Sequence, residues 1–188
     1  VINKFENKLS QFFNVKNTIV CNSGTAALHL IYKSLGLAKG DAILTTPITF
    51  IATANAAKMC NAPVYFADVD KNTGLMDLEE AEKKLKKFKN ISFISLVHLG
   101  GRLPDLESFY SLAQKYNCLI IEDACHAPGS AFKSKSGKHF LTGSCKYSIA
   151  SSFSFHAIKH VTMAEGGCVT TNNTKMAKLM RCKLNHGI

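Results

Sequence analysis

Hydrophobic positions along the chain fall into two patterns that alternate from end to end. Short, nearly continuous apolar runs predict buried strands, and stretches with apolar residues three or four positions apart predict helices. The predicted strands cover residues 18–21, 42–45, 63–68, 91–97, 118–122, 149–155 and 167–171. The predicted helices cover residues 5–13, 25–35, 49–60, 106–116 and 174–184, and one more begins at Asp77. This alternation predicts an α/β fold whose mostly parallel sheet carries helices on both faces.

Polar side chains stand at or near the carboxyl ends of several predicted strands. They are Asp68, His98, Asp123 and Ser154. Ligands of parallel sheets bind beyond the carboxyl ends of the strands. We therefore expect these four residues to converge on a single site.

One aspartate and one lysine carry the clearest chemical signal. Asp123 ends an apolar run, 119–123, where an unpaired buried charge would be costly and a cationic partner is expected. Lys159 lies in a Ser/His-containing turn, and Phe155, Ile158 and Val161 around it predict partial burial, although a surface lysine is the alternative. A lysine amine that attaches to the aldehyde of pyridoxal phosphate, with a carboxylate that keeps the pyridinium protonated, is the pair that this cofactor requires. Once released, the amine can also move a proton at the substrate carbon.

A short polar turn predicts the contact with the cofactor's phosphate. Ser23, Gly24 and Thr25 follow a predicted strand and open a helix. The N-terminus of a helix offers free N–H groups and a positive dipole to an anion, and glycine permits close approach. The same three residues also form an ordinary helix cap, which is the alternative interpretation.

Two further residues fit a flat heteroaromatic ligand. Phe50 lies between a strand and a helix, where its ring could stack on the cofactor or belong to the core. His126 could donate a hydrogen bond to the cofactor's phenolic oxygen, or be a loop histidine with other partners.

Other polar residues near these segments carry weaker signals. Cys125 adjoins the predicted site and is either a reactive or an inert free thiol. His156 and His160 have i, i+4 spacing, but no carboxylate or thiol completes a ligand set, so we expect no metal site. Arg102 could meet an anion or lie on the surface, and the glycine pair at 166–167 predicts a tight turn into the next strand.

Composition and charge exclude several classes of protein. The chain has 188 residues, 46% hydrophobic and 19% charged, which suits one globular domain. No apolar run approaches the roughly 20 residues of a membrane-spanning helix. The net charge of +10 would suit nucleic acid, but lysines 83, 84, 86, 87 and 89 crowd one helix end, and the other lysines are scattered without interleaved aromatic residues. We expect a solvated face there, and neither a nucleic-acid nor a membrane partner.

The cysteines and the chain ends complete this picture. Seven cysteines without a paired spacing predict free thiols in a reducing compartment, and we expect a cytoplasmic protein. Both ends lie within or beside predicted helices, so we expect the chain to be a piece of a longer protein.

Together these segments resemble the DegT/DnrJ/StrS family of nucleotide-sugar aminotransferases. The phosphate loop resembles residues 22–26, and the ring-stacking segment resembles residues 47–55. The pyridinium acid with its following residues resembles 122–127. The lysine motif resembles 152–159, with the Glu-Gly-Gly sequence of 165–167 behind it. Order and spacing match from about Cys21 onward.

The resemblance implies a fold and an assembly. Residues 1–188 would be the pyridoxal phosphate-binding large domain of an aspartate-aminotransferase-like (fold type I) enzyme, with the family's small C-terminal domain missing from this chain. Members of the family are homodimers with shared active sites.

It also implies roles for individual residues. Lys159 would be the catalytic lysine, Asp123 the pyridinium partner and Phe50 the stacking ring. His126 would contact the phenolic oxygen. The residues that hold the phosphate would be Ser23, Gly24, Thr25 and Ser154.

The reaction implied by the resemblance is amino transfer. L-glutamate would be the donor, and a 4-keto-6-deoxy nucleotide sugar, of the UDP-linked N-acetylhexosamine type, would be the acceptor, for surface polysaccharide or pseudaminic acid biosynthesis. Family members with histidine in place of the lysine remove a hydroxyl group instead, and Lys159 argues against that branch. Sugar dehydration or other chemistry with the same cofactor, and a non-catalytic regulator that keeps the fold, remain the alternatives.

Overall fold

The computed structural model describes residues 1–187, which form a sheet of seven strands with helices on both faces. The sheet strands are β1 (Asn17–Cys21), β2 (Ala42–Thr45), β3 (Val64–Phe66), β4 (Ile91–Val97), β5 (Leu119–Asp123), β8 (Ala150–Ser154) and β9 (Gly167–Thr171). A separate hairpin consists of β6 (Ala131–Lys133) and β7 (His139–Leu141). The helices are α1 (Ile2–Phe13), α2 (Gly24–Ser34), α3 (Ala52–Lys58), α4 (Leu78–Lys87), α5 (Leu106–Lys115) and α6 (Thr174–Leu184), and one 3₁₀ turn covers Leu99–Gly101.

Strand order and direction bring several chain segments to one edge of the sheet. The order is β1-β9-β8-β5-β4-β2-β3. β9 runs antiparallel to both of its neighbours, and the other pairs are parallel, so the predicted mostly parallel sheet is confirmed. The carboxyl ends of β1, β5 and β8 therefore meet the amino end of β9 at the same edge.

Alternation of side chains along the strands creates two cores. Helices α2, α3 and α6 cover one face, where Ile19, Ile121 and Val169 lie in a common cluster. Helices α4 and α5 cover the other face above Leu96 and Ile120. Helix α1 contributes Phe13 to a third, smaller cluster, in which its ring stacks on that of Phe153 at a centroid distance of 4.3 Å. Neighbouring residues of one strand consequently belong to different cores.

Helix starts follow the predicted capping residues. The Asp77 carboxylate accepts a hydrogen bond from the Glu80 amide at 2.9 Å and opens α4. The Glu80 side chain pairs with Lys83 at 2.6 Å rather than returning to the cap. One of the two contacts of a capping box is therefore present, and Glu80 forms a local ion pair in place of the other.

Some predicted boundaries differ from the observed ones. The helix predicted over 49–60 begins only at Ala52, because residues 47–51 form an irregular segment after Pro47. The β6–β7 hairpin was not predicted, since its strands have only three residues each, too few to show an alternating pattern. The predicted domain ends at residue 188, which lies outside the described residues.

Two expectations from composition concern membrane-spanning helices and the lysine-rich surface of α4. Within residues 1–187, no helix combines the length and apolar character that crossing a bilayer requires. The acidic residues of α4 precede its lysines, and Glu82 lies 2.6 Å from Lys115 and 3.5 Å from Lys86. This pairing fits the expected solvated face.

Candidate active site

A cavity of about 350 Å³ opens at the sheet edge where β1, β5 and β8 end. Its lining includes all eight residues predicted from the sequence as site residues. They are Ser23, Gly24, Thr25, Phe50, Asp123, His126, Ser154 and Lys159. Residues far apart in the chain thus surround one volume that is large enough for a small-molecule ligand.

The Asp123 carboxylate lies at the end of β5 and on the face covered by α2 and α3. It is 6% exposed, and it accepts hydrogen bonds from the Thr53 hydroxyl at 2.6 Å and from the Cys125 amide at 3.3 Å. Among the described residues, none of the ion pairs includes Asp123. A buried carboxylate that forms no ion pair with the described residues fits a ligand that supplies the positive charge.

The amino end of α2 supplies the anion-binding features of the cavity. Ser23 caps the helix, and its hydroxyl oxygen accepts the Ala26 amide at 3.1 Å. The amides of Gly24 and Thr25 precede the first intrahelical donor, so they have no acceptor within the helix. The cap interpretation and the anion-binding interpretation are therefore compatible, because they use different donors of the same turn.

Two glycines allow this turn to sit close to its neighbours. A Cβ at Gly24 would lie 2.9 Å from both the Cys125 sulfur and the Ser154 Cβ. A Cβ at Gly167 would lie 2.5 Å from the Ser23 carbonyl carbon and oxygen. Gly167 was expected to permit a tight turn, but its backbone is not in the left-handed region. That reason was wrong, and close approach to the amino end of α2 is what requires the glycine.

Ser154, the last residue of β8, and Lys159, in the segment that follows it, both line the cavity. Ser154 is 7% exposed, and its hydroxyl oxygen accepts the His156 amide at 3.4 Å. Lys159 is half-buried, with its amide bonded to the His156 carbonyl at 2.9 Å. Ile158 and Val161 were expected to shield it, but they are exposed, so that part of the expectation was wrong.

His126 presents a neutral imidazole to the cavity. Burial lowers its pKa, and the positive charge of Lys159 lowers it further. Its Nδ1 accepts the Gly100 amide at 3.4 Å, which assigns the proton of the neutral ring to Nε2. His126 can consequently act as a hydrogen-bond donor through Nε2, as a contact with a phenolic oxygen requires.

Phe50 lies at the cavity mouth and not in the core. Its side chain is 66% exposed, which excludes the core alternative. An exposed ring beside a flat ligand is available for stacking.

Two of the four strand-end residues do not reach the cavity. Asp68 follows the edge strand β3, is exposed, and accepts the Val69 amide at 2.8 Å. His98 is completely buried and pairs with Glu122 at 2.8 Å. Glu122 and Asp123 are neighbours in β5, so their side chains point to opposite faces of the sheet. The expected convergence was wrong for Asp68 and His98. Asp68 follows the strand at the far edge of the sheet, and His98 pairs with Glu122 on the face opposite the cavity.

Other candidates from the sequence also lie outside this arrangement. Arg102 is exposed and does not line the cavity. The segment containing His156 and His160 is not helical, so i, i+4 spacing does not place them on a common face. His156 instead lies 3.6 Å from Glu165.

Thr53 was missed by sequence reasoning, although it belongs to the motif at 47–55.

Comparison with known proteins gives consistent results over the whole chain. The model of the DegT/DnrJ/EryC1/StrS aminotransferase family matches residues 1–188. The chain is 42% identical over 188 residues to a UDP-4-amino-4,6-dideoxy-N-acetyl-beta-L-altrosamine transaminase of Campylobacter jejuni. The alignment covers 100% of this chain and 48% of that protein. The chain is 34% identical over 185 residues to a GDP-perosamine synthase of Caulobacter vibrioides, covering 98% of this chain and 47% of the relative.

Solved structures agree with this assignment. Helicobacter pylori PseC, an aminotransferase involved in the biosynthesis of pseudoaminic acid, superposes with a TM-score of 0.89 at 34% identity, over 99% of this chain and 48% of its own. The putative sugar aminotransferase Spr1654 of Streptococcus pneumoniae, in its PLP form, gives a TM-score of 0.86 at 26% identity, over 96% and 49%. The chain thus spans about half the length of the relatives it matches. On this basis, the chain belongs to the DegT/DnrJ/EryC1/StrS aminotransferase family.

Proposed function

We propose that this chain is the cofactor-binding large domain of a pyridoxal phosphate-dependent sugar aminotransferase. The observation that carries the proposal is the cavity that Asp123, Lys159 and the amino end of α2 line together. Pyridoxal phosphate has a ring nitrogen, an aldehyde and a phosphate, and these three residue groups offer one partner for each. When bound, the cofactor supplies an aldehyde that accepts an amino group and a ring that accepts electrons.

The residues of the chain would position the cofactor and move protons. Asp123 would pair with the protonated ring nitrogen, and the free amides of Gly24 and Thr25 would bind the phosphate with the hydroxyls of Ser23 and Ser154. Phe50 would stack on the ring, and His126 would donate from Nε2 to the phenolic oxygen. Lys159 would hold the aldehyde carbon and, once free, transfer a proton at the substrate carbon.

The substrates follow from the relatives. We propose that L-glutamate gives up its amino group and leaves as 2-oxoglutarate, and that the keto oxygen of a 4-keto-6-deoxy nucleotide sugar is replaced by that amine. The names of the Campylobacter and Helicobacter proteins support a UDP-linked N-acetylhexosamine and a role in pseudaminic acid or surface polysaccharide biosynthesis. The same names favour amino transfer over dehydration or a non-catalytic role.

We further propose that the full-length protein is a cytoplasmic homodimer with shared active sites. Large apolar side chains are exposed beside the cavity, including Ile51, which is 62% exposed, and Ile158, which is 81% exposed. Such a patch supports a protein–protein contact at this position. All seven cysteines are free, which supports a reducing compartment.

The dimer has a direct test in solution. Light scattering of the full-length protein should give the mass of two copies, and Ile51→Asp should shift the population toward one copy because it places a charge in the apolar contact. Leu179→Asp, at an exposed apolar position of α6, is the control and should leave the mass unchanged. A wild-type protein with the mass of a single copy would exclude the shared site.

The cofactor and the reaction are tested in sequence on the full-length protein. Added pyridoxal phosphate should produce a visible absorbance band, and borohydride should fix the cofactor covalently on the peptide that contains Lys159. Lys159→Arg keeps the charge and should abolish the adduct. Turnover is then measured as 2-oxoglutarate released from glutamate in the presence of a UDP-linked 4-keto-6-deoxy-N-acetylhexosamine.

The two stages separate two kinds of failure. Absence of both the band and the adduct would exclude the cofactor assignment and with it the aminotransferase. An adduct on Lys159 without 2-oxoglutarate release would retain the cofactor and exclude the proposed substrate pair.

A further inference from the structure

Asp123 receives its shortest hydrogen bond from a residue outside the predicted site. The Thr53 hydroxyl lies 2.6 Å from Asp123 Oδ2. Thr53 is completely buried near the start of α3, and Asp123 is 6% exposed. A short hydrogen bond to an ionised group in a buried setting is among the strong ones.

The neighbouring contacts assign the direction of this bond. A threonine hydroxyl has one proton to donate. The alternative acceptor for the Thr53 proton is the Phe50 carbonyl at 3.3 Å, which is much farther than the carboxylate. The Thr49 hydroxyl lies 2.9 Å from that of Thr53, so it serves as the donor to Thr53. A directed chain runs from Thr49, which lines the cavity, through Thr53 to Asp123.

The backbone of Thr53 is held in place from α2. The Tyr32 hydroxyl is fully buried and lies 3.4 Å from the Thr53 carbonyl and 3.1 Å from the Ser95 hydroxyl. These contacts connect α2, α3 and β4 directly beneath the cavity. The Thr53 hydroxyl is thereby fixed relative to the sheet edge.

Both carboxylate oxygens of Asp123 are consequently engaged. Oδ2 accepts from Thr53, and Oδ1 accepts from the Cys125 amide at the longer distance of 3.3 Å. The terminal torsion of aspartate is broad, so the side chain alone does not fix the plane of the carboxylate. Removing Thr53 would leave only the weaker contact to hold that plane.

We infer that Thr53 is a positioning residue that orients the Asp123 carboxylate toward the ring nitrogen of the cofactor. This inference rests on the proposed function, because it assumes that pyridoxal phosphate fills the cavity. Thr53 would therefore strengthen the contact between Asp123 and the ring nitrogen of the cofactor, and would leave the contacts with the phosphate unchanged.

The test compares two ligands that differ at that atom. Dissociation constants are measured on the full-length protein for pyridoxal phosphate and for its 1-deaza analogue, in which CH replaces the ring nitrogen. Thr53→Val should weaken binding of pyridoxal phosphate about tenfold and leave the affinity for the analogue unchanged. Thr53→Ser keeps the hydroxyl and should restore wild-type affinity.

Controls separate positioning from general damage to the fold. Thr45→Val removes an equally buried hydroxyl, bonded to the Ser95 carbonyl at 3.0 Å and outside the cavity lining, and should leave both affinities unchanged. Thr53→Ala removes the same hydroxyl as Thr53→Val and replaces it if the valine variant does not fold.

Each outcome decides a different statement. Equal weakening of both ligands, or no weakening of pyridoxal phosphate, would overturn the positioning role while the proposed function stands. A wild-type protein that fails to bind pyridoxal phosphate would overturn the proposed function and this inference together.

Discussion

The His98 imidazole and the Glu122 carboxylate form a buried pair, with 2.8 Å between Nε2 and Oε2, on the sheet face opposite the cavity. Glu122 also accepts hydrogen bonds from the hydroxyls of Ser148 and Ser151. The His98 amide donates to the Asp123 carbonyl at 3.0 Å, so the pair lies directly behind the strand end that carries the candidate pyridinium acid. A polar cluster in one core thus supports the strand end that carries the Asp123 carboxylate on the other face.

The first prediction concerns the stability that Glu122 provides. Burial alone would raise the pKa of Glu122, but the contacts with His98 and the two serines lower it below the usual 4.5. The Glu122 carboxylate therefore binds a proton more tightly in the unfolded chain than in the folded one. The ionised carboxylate stabilises the fold fully above pH 4.5, and this contribution is lost as the pH falls through the folded-state pKa. Glu122→Ala should destabilise the fold by about 3 kcal/mol at neutral pH, because it leaves buried donors unpaired.

Urea unfolding at a series of pH values checks this prediction. The free energy of unfolding of the wild type should fall more steeply in acid than that of Glu122→Gln, which keeps the shape without the titrating carboxylate. Glu79→Gln, at an exposed position in the first turn of α4, should follow the wild type. Identical acid dependence in the wild type and Glu122→Gln would contradict the assigned role.

The second prediction concerns the close approach at Gly167. Gly167→Ala would place a Cβ 2.8 Å from the Gly24 nitrogen as well as against the Ser23 carbonyl, and backbone atoms cannot move aside cheaply. We expect a destabilisation of about 2 kcal/mol and weaker binding of pyridoxal phosphate through its phosphate. Thermal unfolding and cofactor titration of the full-length protein measure both effects.

The adjacent glycine is a matched control. The three atoms nearest to a Cβ at Gly166 all belong to the Met163 side chain, at 2.9 to 3.1 Å, and that side chain is exposed and flexible enough to turn away. Gly166→Ala should therefore remain close to the wild type in both measurements. If the two alanine variants behaved alike, close packing at Gly167 would not be the reason for the glycine.

The third prediction concerns the protonation of His126. Its pKa is lowered from 6.5 first by burial and then by the charge of Lys159. The titration midpoint of the cofactor-free protein, followed by NMR of labelled histidine, should lie below 6.5. Lys159→Met should move it upward because one positive charge is removed, whereas Lys146→Met, outside the cavity lining, should not. A wild-type midpoint at or above 6.5 would refute the neutral donor assigned to His126.

Sequence patterns predicted the order and type of the elements of the sheet and its helices, because each buried strand and amphipathic helix has its own local period. They did not reveal that β9 runs antiparallel, since apolar runs carry no direction. They also located the cavity residues through motifs, yet grouped His98 and Asp68 with Asp123. Which face a strand-end side chain occupies depends on pairing and register, which no single segment encodes.

The parts of the site that escaped prediction are contacts between distant segments. Thr53 stood within a recognised motif, but its bond to Asp123 exists only because α3 packs over the end of β5. The reason for Gly167 likewise depends on the neighbouring Ser23, which is far away in the chain. Residue type suggests what a side chain can do, and tertiary packing decides what it does.

The last prediction concerns Cys125, which lines the cavity and could be read as a reactive thiol. Burial raises its pKa well above the usual 9.0, and the charge of Asp123 raises it further. The reactive thiolate is consequently scarce at pH 7.5. We expect iodoacetamide, followed by peptide mass spectrometry, to label the half-buried Cys182 of α6 much faster than Cys125. Asp123→Asn removes the charge and should accelerate labelling at Cys125 while leaving Cys182 unchanged; rapid labelling of Cys125 in the wild type would instead identify an activated thiol in the cavity.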